Sequence, residues 1–352
     1  MQAQVSDGRS PRQELPVAAF LDATTPIIDV RSPAEFGQGH LPGAISLPLF
    51  SDAQRQAVGT AYKQQGRQQA VQLGLALVGP QLAELSEQLL ALAGPGQGLR
   101  LHCWRGGQRS GSVAWLAGLQ GLRVTLLQGG YKAYRQWVLQ MVAQPWPLQV
   151  VGGRTGTGKT DLLQAMARQG SAVVDLEGLA QHRGSSFGGL GLPPQPSSEH
   201  FENRLAEQLR RLQDRGGPIW VEAESAQVGR CRIPAGFWRQ MQQAPVLEID
   251  RPVEQRLLQL VAVYGHQGQE PLRQATERIS RRLGPQRTGA ALAAIAQEDW
   301  AGACLQMLDY YDRCYDHELQ TRPTAPRWRL GLGDQDADSA ARQVLSLIGQ
   351  PT

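Results

Sequence analysis

The segment GGRTGTGKT, at residues 152–160, constrains the fold of this chain more than any other. It contains Gly153-x-x-x-x-Gly158-Lys159-Thr160, the complete spacing of a phosphate-binding loop (P-loop). Glycines in such a loop let backbone amides point at phosphate oxygens, and the helix that follows adds its positive end. The motif needs a strand before it and a helix after it, and LQVV and KTDLLQAMARQ fit those roles. The sequence therefore predicts a site for a diphosphate or triphosphate formed by Gly153, Arg154, Thr155, Gly156, Thr157, Gly158, Lys159 and Thr160.

Two acidic residues are candidates to complete this site. We expect Lys159 to reach the terminal phosphates and the Thr160 hydroxyl to bind magnesium. Asp175 and Glu222 each end a predicted strand, so either could hold the magnesium ion, and either could equally cap a helix or form an ion pair. No segment resembles a motif that reads a nucleotide base, so the loop alone does not distinguish a nucleotide from another diphosphate.

Strands and helices alternate along the 352 residues, which is typical of α/β domains with mostly parallel sheets. The first series of predicted strands is 25–30, 44–49, 99–103 and 124–129, with amphipathic helical segments at 51–62, 68–92, 110–119 and 131–142. The second series is 148–153, 171–178, 218–225 and 244–251, followed by a helix-rich region, 252–325, and a last strand within 327–334. Two prolines in AQPWPLQ mark a boundary, which predicts an N-terminal domain at 1–143 and a P-loop domain at 144–352. Turn-forming residues at 182–198 predict a mobile loop.

Composition excludes several classes of protein. The four cysteines show no CxxC pair and no spacing typical of zinc ligands, so we expect neither a disulfide framework nor a structural metal. The N-terminus has no apolar signal core, and no run is long enough to cross a bilayer. We therefore expect a cytoplasmic protein that does not bind membranes. A net charge of +4 permits nucleic acid as a partner without requiring it.

The segment LHCWRGGQRSGS predicts a second anion site. Cys103-x-x-x-x-x-Arg109-Ser110 matches the signature of cysteine-dependent phosphatases. Loop amides and the start of the next helix favour an anionic sulfur, while Arg105 and Arg109 are suited to bidentate contact with an anion. The alternative is a buried structural thiol with surface cations.

Residues 27–48, IIDVRSPAEFGQGHLPGAISLP, together with this cysteine loop resemble the rhodanese family. The resemblance implies an N-terminal rhodanese-like domain whose cysteine carries sulfur within a ring of backbone amides. Loops of simple sulfurtransferases are typically one residue shorter, so this ring should accommodate a tetrahedral, phosphate-like group. A phosphatase activity is disfavoured, because no separate loop supplies an aspartic general acid and a phosphatase does not account for the fused P-loop domain.

The fusion and several further stretches resemble the bacterial tRNA 2-selenouridine synthase family. These stretches are VGTAYKQQG, CWRGGQRS, GGYKA, GGRTGTGKT, VDLEGLAQHRGSSFG, EAESAQVGRCRIP and SRRLGPQR. The resemblance implies conversion of 2-thiouridine to 2-selenouridine at the wobble position of tRNAs for lysine, glutamate and glutamine. Geranyl diphosphate, held by the P-loop, would alkylate the sulfur, and selenophosphate would then supply selenium. Cys103 would attack selenophosphate at selenium, expel phosphate and carry the selenium. No tightly bound cofactor is implied, and Mg²⁺ would be optional.

Contacts with the anticodon region of tRNA are also implied. Candidates are Arg183 and the cluster Arg281, Arg282 and Arg287, although a short arginine cluster is more often a solvated helix face. Two other functions stay open: a persulfide-carrying sulfurtransferase with a nucleotide-hydrolysing P-loop domain, and a non-enzymatic switch. An intact cysteine loop argues against the switch. The oligomeric state is not indicated by the sequence.

Overall fold

The computed structural model describes residues 12–93, 98–322 and 327–348. The chain divides into two compact units, an N-terminal unit, Met1–Gln140, and a C-terminal unit, Met141–Thr352. Each has its own parallel sheet with helices packed against it, which confirms the predicted α/β class. No helix within the described ranges is long and apolar enough to cross a membrane.

The N-terminal unit is built on a 5-stranded parallel sheet with strand order β1-β5-β4-β2-β3. Its elements are β1 (Arg12–Leu15), α1 (Val17–Asp22), β2 (Ile27–Asp29), α2 (Pro33–Gln38), β3 (Ile45–Ser46), α3 (Asp52–Gln64), α4 (Arg67–Val78), α5 (Leu82–Ala93), β4 (Gly98–His102), α6 (Gln108–Leu119), β5 (Arg123–Leu127) and α7 (Gly130–Ala143). Apolar side chains of β2, β4 and β5 form its core with the facing side of α6, and burying each such side chain contributes about 1.5–3 kcal/mol.

Two predicted elements of this unit are wrong in extent. The strand predicted at 44–49 is reduced to Ile45–Ser46, although the amides of Leu47 and Leu49 still donate to the carbonyls of Asp29 and Val30. The helical segment predicted at 68–92 is two helices, α4 and α5, separated by a single 3₁₀ turn at Gly79–Gln81 that contains Pro80. The break between the two helices comes from Pro80, which has no amide hydrogen with which to continue the helix.

The C-terminal unit has a second 5-stranded parallel sheet, with strand order β12-β11-β6-β8-β7. Its elements are β6 (Leu148–Gly152), α8 (Lys159–Arg168), β7 (Ala172–Val174), α9 (Leu176–Ala180), α10 (Ser198–Leu212), β8 (Ile219–Glu222), β9 (Gln227–Val228), β10 (Cys231–Arg232), α11 (Ala235–Gln243), β11 (Val246–Asp250), α12 (Val253–Tyr264), α13 (Gln269–Leu283), α14 (Pro285–Ala296), α15 (Trp300–Thr321), β12 (Arg327–Gly331) and α16 (Ala337–Ile348). Strands β9 and β10 form a separate antiparallel pair.

The P-loop follows β6, the central strand of this sheet, and therefore lies at the carboxyl edge where ligands of parallel α/β sheets bind. The strand predicted at 171–178 ends already at Val174, because the Asp175 side chain accepts a hydrogen bond from Gly178 N at 2.7 Å and caps α9. The segment between α9 and α10 lacks helix and strand, as predicted, but Phe187 in its middle is buried against α13, α14 and α15.

Candidate functional site

In the N-terminal unit, Cys103 directly follows β4 and lies in front of the first turn of α6. Its side chain is only 3% exposed, and Sγ lies 3.2 Å from the Ser110 hydroxyl. Because α6 is 12 residues long and begins at Gln108, its positive N-terminal end favours negative charge in the loop. The thiol is thus buried but surrounded by groups that can stabilise its anion.

The pKa of Cys103 reflects opposing effects. Burial raises it, whereas hydrogen bonds from the Ser110 side chain and from the amides of Ser110 and Arg105, with the charge of Arg109, lower it. The lowering effects prevail, so the pKa of this thiol lies below its ordinary value of 9.0. A depressed thiol pKa is what a nucleophilic cysteine requires.

The two arginines predicted for this loop occupy different environments. Arg109 forms a two-point ion pair with Glu35, with Nη1–Oε2 at 2.6 Å and Nη2–Oε1 at 3.2 Å. Glu35 is in turn held by the Ser32 amide, 3.0 Å from Oε2. Arg105 is exposed, and its guanidinium makes no hydrogen bond or ion pair with any residue in the described part of the chain. The guanidinium of Arg109 is therefore held in one orientation by Glu35, whereas that of Arg105 is not constrained by such a pair.

The GGYK segment at the start of α7 holds the cysteine loop in place through backbone hydrogen bonds. The amides of Tyr131 and Lys132 donate to the carbonyls of Cys103 and Trp104, each at 2.9 Å. Gly130 has φ +61°, and a Cβ there would lie 2.5 Å from the Cys103 carbonyl oxygen, so only glycine allows this approach. These bonds explain why a segment so far along the chain belongs to the cysteine site.

A buried network lies beside this support. Arg31 and Asp29 form an ion pair at 2.6 Å, and the Arg31 guanidinium lies 3.7 Å from the centre of the Tyr131 ring. His102 is fully buried, and burial lowers its pKa to about 4, so the imidazole is neutral at physiological pH. His102 is thus a buried, neutral residue of the strand that precedes Cys103.

In the C-terminal unit, the P-loop is held by side chains that lie outside the motif. Arg251 Nε donates to the Thr157 carbonyl at 3.0 Å, and Arg256 Nε donates to the Thr155 carbonyl at 2.8 Å. Within the loop, Lys159 Nζ donates to the Gly153 carbonyl at 2.8 Å. Because two arginines bind carbonyls of the loop, its curvature is set by α12 and by the end of β11 as well as by its glycines.

Two further arginine contacts connect this region to α15. Arg154 of the P-loop pairs with Asp316, and the buried Arg256 pairs with Asp312. Arg154 is one of the predicted phosphate-binding residues, and its guanidinium pairs with a carboxylate of α15. The hydrogen bond to Asp316 raises the pKa of Arg154.

The carboxylate nearest the P-loop hydroxyl is one that the sequence analysis missed. The Thr160 hydroxyl donates to Glu177 Oε2 at 2.6 Å, and the Glu177 amide donates to Glu222 Oε1 at 2.7 Å. Of the two predicted acids, Asp175 caps α9, the alternative named for it, whereas Glu222 lies in this chain of contacts. Glu177 stands two residues after Asp175, in the VDLEG segment, so only its place within a family-like stretch could have indicated it.

Burial strongly disfavours the charged forms of these acids. The pKa of Glu222 is raised well above 4.5 because the side chain is fully buried and because Asp175 and Glu177 add negative charge. Its Oε2 has no hydrogen-bond partner among the described residues. The pKa of Glu177 is also raised, by burial first, although the Thr160 hydrogen bond and Lys159 oppose this. The Thr160 hydroxyl and the Glu177 carboxylate are oxygens that a hard cation such as Mg²⁺ could contact, but no cluster of three or more acidic, histidine or cysteine side chains suited to a metal ion occurs among the described residues.

An apolar pocket adjoins the P-loop at Thr155. Helices α12, α13, α14 and α15 and the segment before α10 enclose it, and its apolar lining includes Phe187, Leu260, Leu272, Ile295, Trp300 and Met307. The pocket has a volume of about 50 Å³, so a ligand with its charged head at the phosphate site and an apolar tail in the pocket would have to widen it.

The four arginines predicted to contact tRNA are all placed in the C-terminal unit. Arg281 and Arg282 are exposed in the last turn of α13. Arg287 pairs with Asp309. Arg183 donates to the Leu190 carbonyl at 3.0 Å, within its own loop.

A thiol loop on one parallel-sheet unit and a P-loop on another define a rhodanese-like domain joined to a P-loop domain. Residues 16–136 match the rhodanese-like domain family, and residues 146–329 match the tRNA 2-selenouridine synthase AAA domain. The chain is similar to proteins named tRNA 2-selenouridine synthase. That of Shewanella sediminis is 35% identical over 331 residues, 84% of this chain and 88% of the relative. That of Bordetella petrii is 38% identical, covering 84% and 87%, and that of Salmonella arizonae is 39% identical, covering 86% and 92%. The chain belongs to the tRNA 2-selenouridine synthase family.

Proposed function

We propose that this protein is a tRNA-modifying transferase that converts 2-thiouridine to 2-selenouridine at the wobble position of tRNAs for lysine, glutamate and glutamine. Geranyl diphosphate and selenophosphate are the proposed co-substrates. The names of the relatives support the overall conversion. The observation that supports a geranyl step is the apolar pocket adjoining the P-loop at Thr155, because a nucleotide has no hydrocarbon tail to fill it.

The first reaction alkylates sulfur. The allylic carbon–oxygen bond of geranyl diphosphate breaks, pyrophosphate leaves with the electron pair, and a new carbon–sulfur bond forms at the thiouracil sulfur. The base then loses its N3 proton. The P-loop amides and Lys159 would stabilise the charge that develops on the diphosphate. Mg²⁺, held by Thr160 and the buried carboxylates, would neutralise part of that charge.

The second reaction replaces sulfur. Hydroselenide equivalents from selenophosphate add at C2 of the S-geranylated base, and geranylthiol leaves. Cys103 is the proposed nucleophile that opens the phosphorus–selenium bond of the donor. Its buried position, depressed pKa and adjacent helix N-terminus support this role.

Two matched leucine variants test the tail site on helix α12. Leu260 lines the pocket, whereas Leu258 is 65% exposed on the same helix. We expect Leu260→Ala to weaken binding of geranyl diphosphate about tenfold, since burying a leucine contributes about 1.5–3 kcal/mol, and to leave pyrophosphate binding unchanged. Leu258→Ala should change neither affinity, and calorimetry measures both.

The whole reaction is tested by mass spectrometry of nucleosides from 2-thiouridine-containing tRNA. Incubation with geranyl diphosphate and then selenophosphate should yield S-geranylated and then selenated uridine, with Lys159→Ala blocking the first product. Turnover of ATP with no geranylated product would instead favour a sulfurtransferase with a nucleotide-hydrolysing domain.

A further inference from the structure

The Cys103 loop has the parts that thiol chemistry at phosphorus requires. The Cys103 sulfur and the Ser110 hydroxyl oxygen lie 3.2 Å apart. Arg109, which precedes Ser110 in the sequence, is held in place by its ion pair with Glu35. Amides of the loop and of the first turn of α6 lower the pKa of the Cys103 thiol and so favour its thiolate. This set binds a tetrahedral anion and also stabilises a thiolate when it attacks and when it leaves.

Electron counting decides which atom of selenophosphate the thiolate attacks. Selenium in this donor is already at the selenide level that it has in selenouridine. Attack at selenium would leave the electron pair of the broken bond on phosphorus, release phosphite rather than phosphate, and leave selenium oxidised in a sulfur–selenium bond. Transfer to uridine would then need a reductant. Cys103 is the one cysteine in residues 1–140, so this unit has no second thiol to supply the electrons.

We propose that Cys103 attacks phosphorus rather than selenium, a step that rests on the proposed function. The thiolate forms a sulfur–phosphorus bond and the phosphorus–selenium bond breaks. Selenium leaves with the electron pair and with the proton that monoprotonated selenophosphate carries, as hydroselenide. Water then cleaves the S-phosphocysteine to phosphate and the free thiol. Hydroselenide adds to C2 of the S-geranylated base and expels geranylthiolate, which takes up the proton. No atom changes oxidation state. This step replaces the attack at selenium with release of phosphate that the family resemblance implied, because that reaction does not balance in electrons.

The leaving group explains why this site, unlike that of a phosphatase, does not need an aspartic general acid. An alkoxide must be protonated as it leaves, which requires a general acid. Selenium takes the proton that the donor already carries and leaves as hydroselenide, a far weaker base than an alkoxide, so the loop needs no aspartic acid to supply that proton. Ser110 acts in the second half, where its hydroxyl stabilises the departing thiolate.

Trapping of the intermediate in the full chain tests this assignment. The protein is mixed with selenophosphate labelled with radioactive phosphorus, quenched within one turnover and digested. We expect labelled phosphorus on the Cys103 peptide, without the isotope pattern of selenium. Ser110→Ala should slow breakdown about 10- to 100-fold and raise the trapped fraction, since it removes a hydrogen bond to a charged group. Ser112→Ala, which alters an exposed hydroxyl of the same helix, should match the parent, and Cys103→Ala should carry no label.

Selenium on the Cys103 peptide with phosphite in the phosphorus NMR spectrum would overturn the inference and leave the proposed function standing. Consumption of selenophosphate with no phosphorus trapped on Cys103, even in Ser110→Ala, would also overturn it. If S-geranylated RNA and selenophosphate do not react at all with the parent protein, the proposed function itself fails.

Discussion

Arg109 and Glu35, 74 residues apart in the chain, form a two-point ion pair that fixes an arginine of the cysteine loop. The pair connects the loop to the first turn of α2, where Glu35 also completes a capping box with Ser32. One carboxylate thus fixes the start of a helix and the orientation of a guanidinium beside the nucleophile.

Replacing Glu35 by glutamine should therefore impair selenation more than folding. Glutamine can still accept a hydrogen bond from the Ser32 amide, but without a negative charge it no longer holds Arg109 in an ion pair. Misplacement of a positioned group costs about 100-fold in rate. The freed charge of Arg109 should also lower the pKa of Cys103 further, which a shift of thiol alkylation to lower pH would reveal. Glu84→Gln, an exposed change on α5, is the control. An unchanged alkylation profile would contradict the coupling.

Glu222 should make the chain less stable as the pH rises. Its pKa is raised in the folded state, so the folded chain binds this proton more tightly than the unfolded chain. The contribution of this proton to the free energy of unfolding is full below pH 4.5 and declines as the pH rises from 4.5 towards the pKa of Glu222 in the folded chain. Glu222→Gln stays neutral, so we expect a flatter curve of unfolding free energy against pH and a gain of about 1–3 kcal/mol above that range. Urea unfolding measures this, with exposed Asp214→Asn as the control, and an equal slope in the two variants would refute it.

The exposed arginines at the end of α13 should contribute to RNA affinity through phosphate contacts. We expect the double change Arg281→Ala and Arg282→Ala to weaken tRNA binding at low salt and to reduce the slope of log affinity against log salt by about one per arginine. Arg273→Ala, on the same helix but paired with Glu270 and Glu277, should change the slope little. Filter binding at several salt concentrations compares the two proteins, and equal slopes would exclude this face from RNA contact.

Trp104 should provide a surface on which the target base stacks. It follows the nucleophile, remains 38% exposed, and its ring centre lies 5.8 Å from that of the buried Tyr131. Base–aromatic stacking contributes about 1–3 kcal/mol, so Trp104→Ala should raise the KM for RNA about 5- to 150-fold. Reaction of Cys103 with selenophosphate alone should persist, and Trp104→Phe should recover part of the loss. Trp115→Ala, 61% exposed on α6, is the control, and an unchanged KM in Trp104→Ala would rule out stacking.

Local sequence was sufficient to predict the P-loop, the cysteine loop and most helices and strands, because these depend on glycine spacing and apolar periodicity. It could not indicate that Glu35 binds Arg109 or that Glu177 binds Thr160, since such pairs form only when distant segments fold together. The apolar pocket was hidden for the same reason, as its lining comes from four helices and a loop. Asp175 is a different case: an acid at a strand end could hold a metal ion or cap the following helix, and its side chain accepts the hydrogen bond that caps α9.

The bonds from Tyr131 and Lys132 to the carbonyls of Cys103 and Trp104 determine more than the position of α7. In a trans peptide the carbonyl and the next amide point in opposite directions. Drawing these two carbonyls towards α7 therefore turns the amides of Trp104 and Arg105 the other way, and the Arg105 amide is one of the groups that lower the pKa of the Cys103 thiol. The orientation of the anion-binding amides in the loop therefore depends partly on the GGYK segment. If CWRGGQRS were transplanted into another protein without that segment, its amides would lose this orientation.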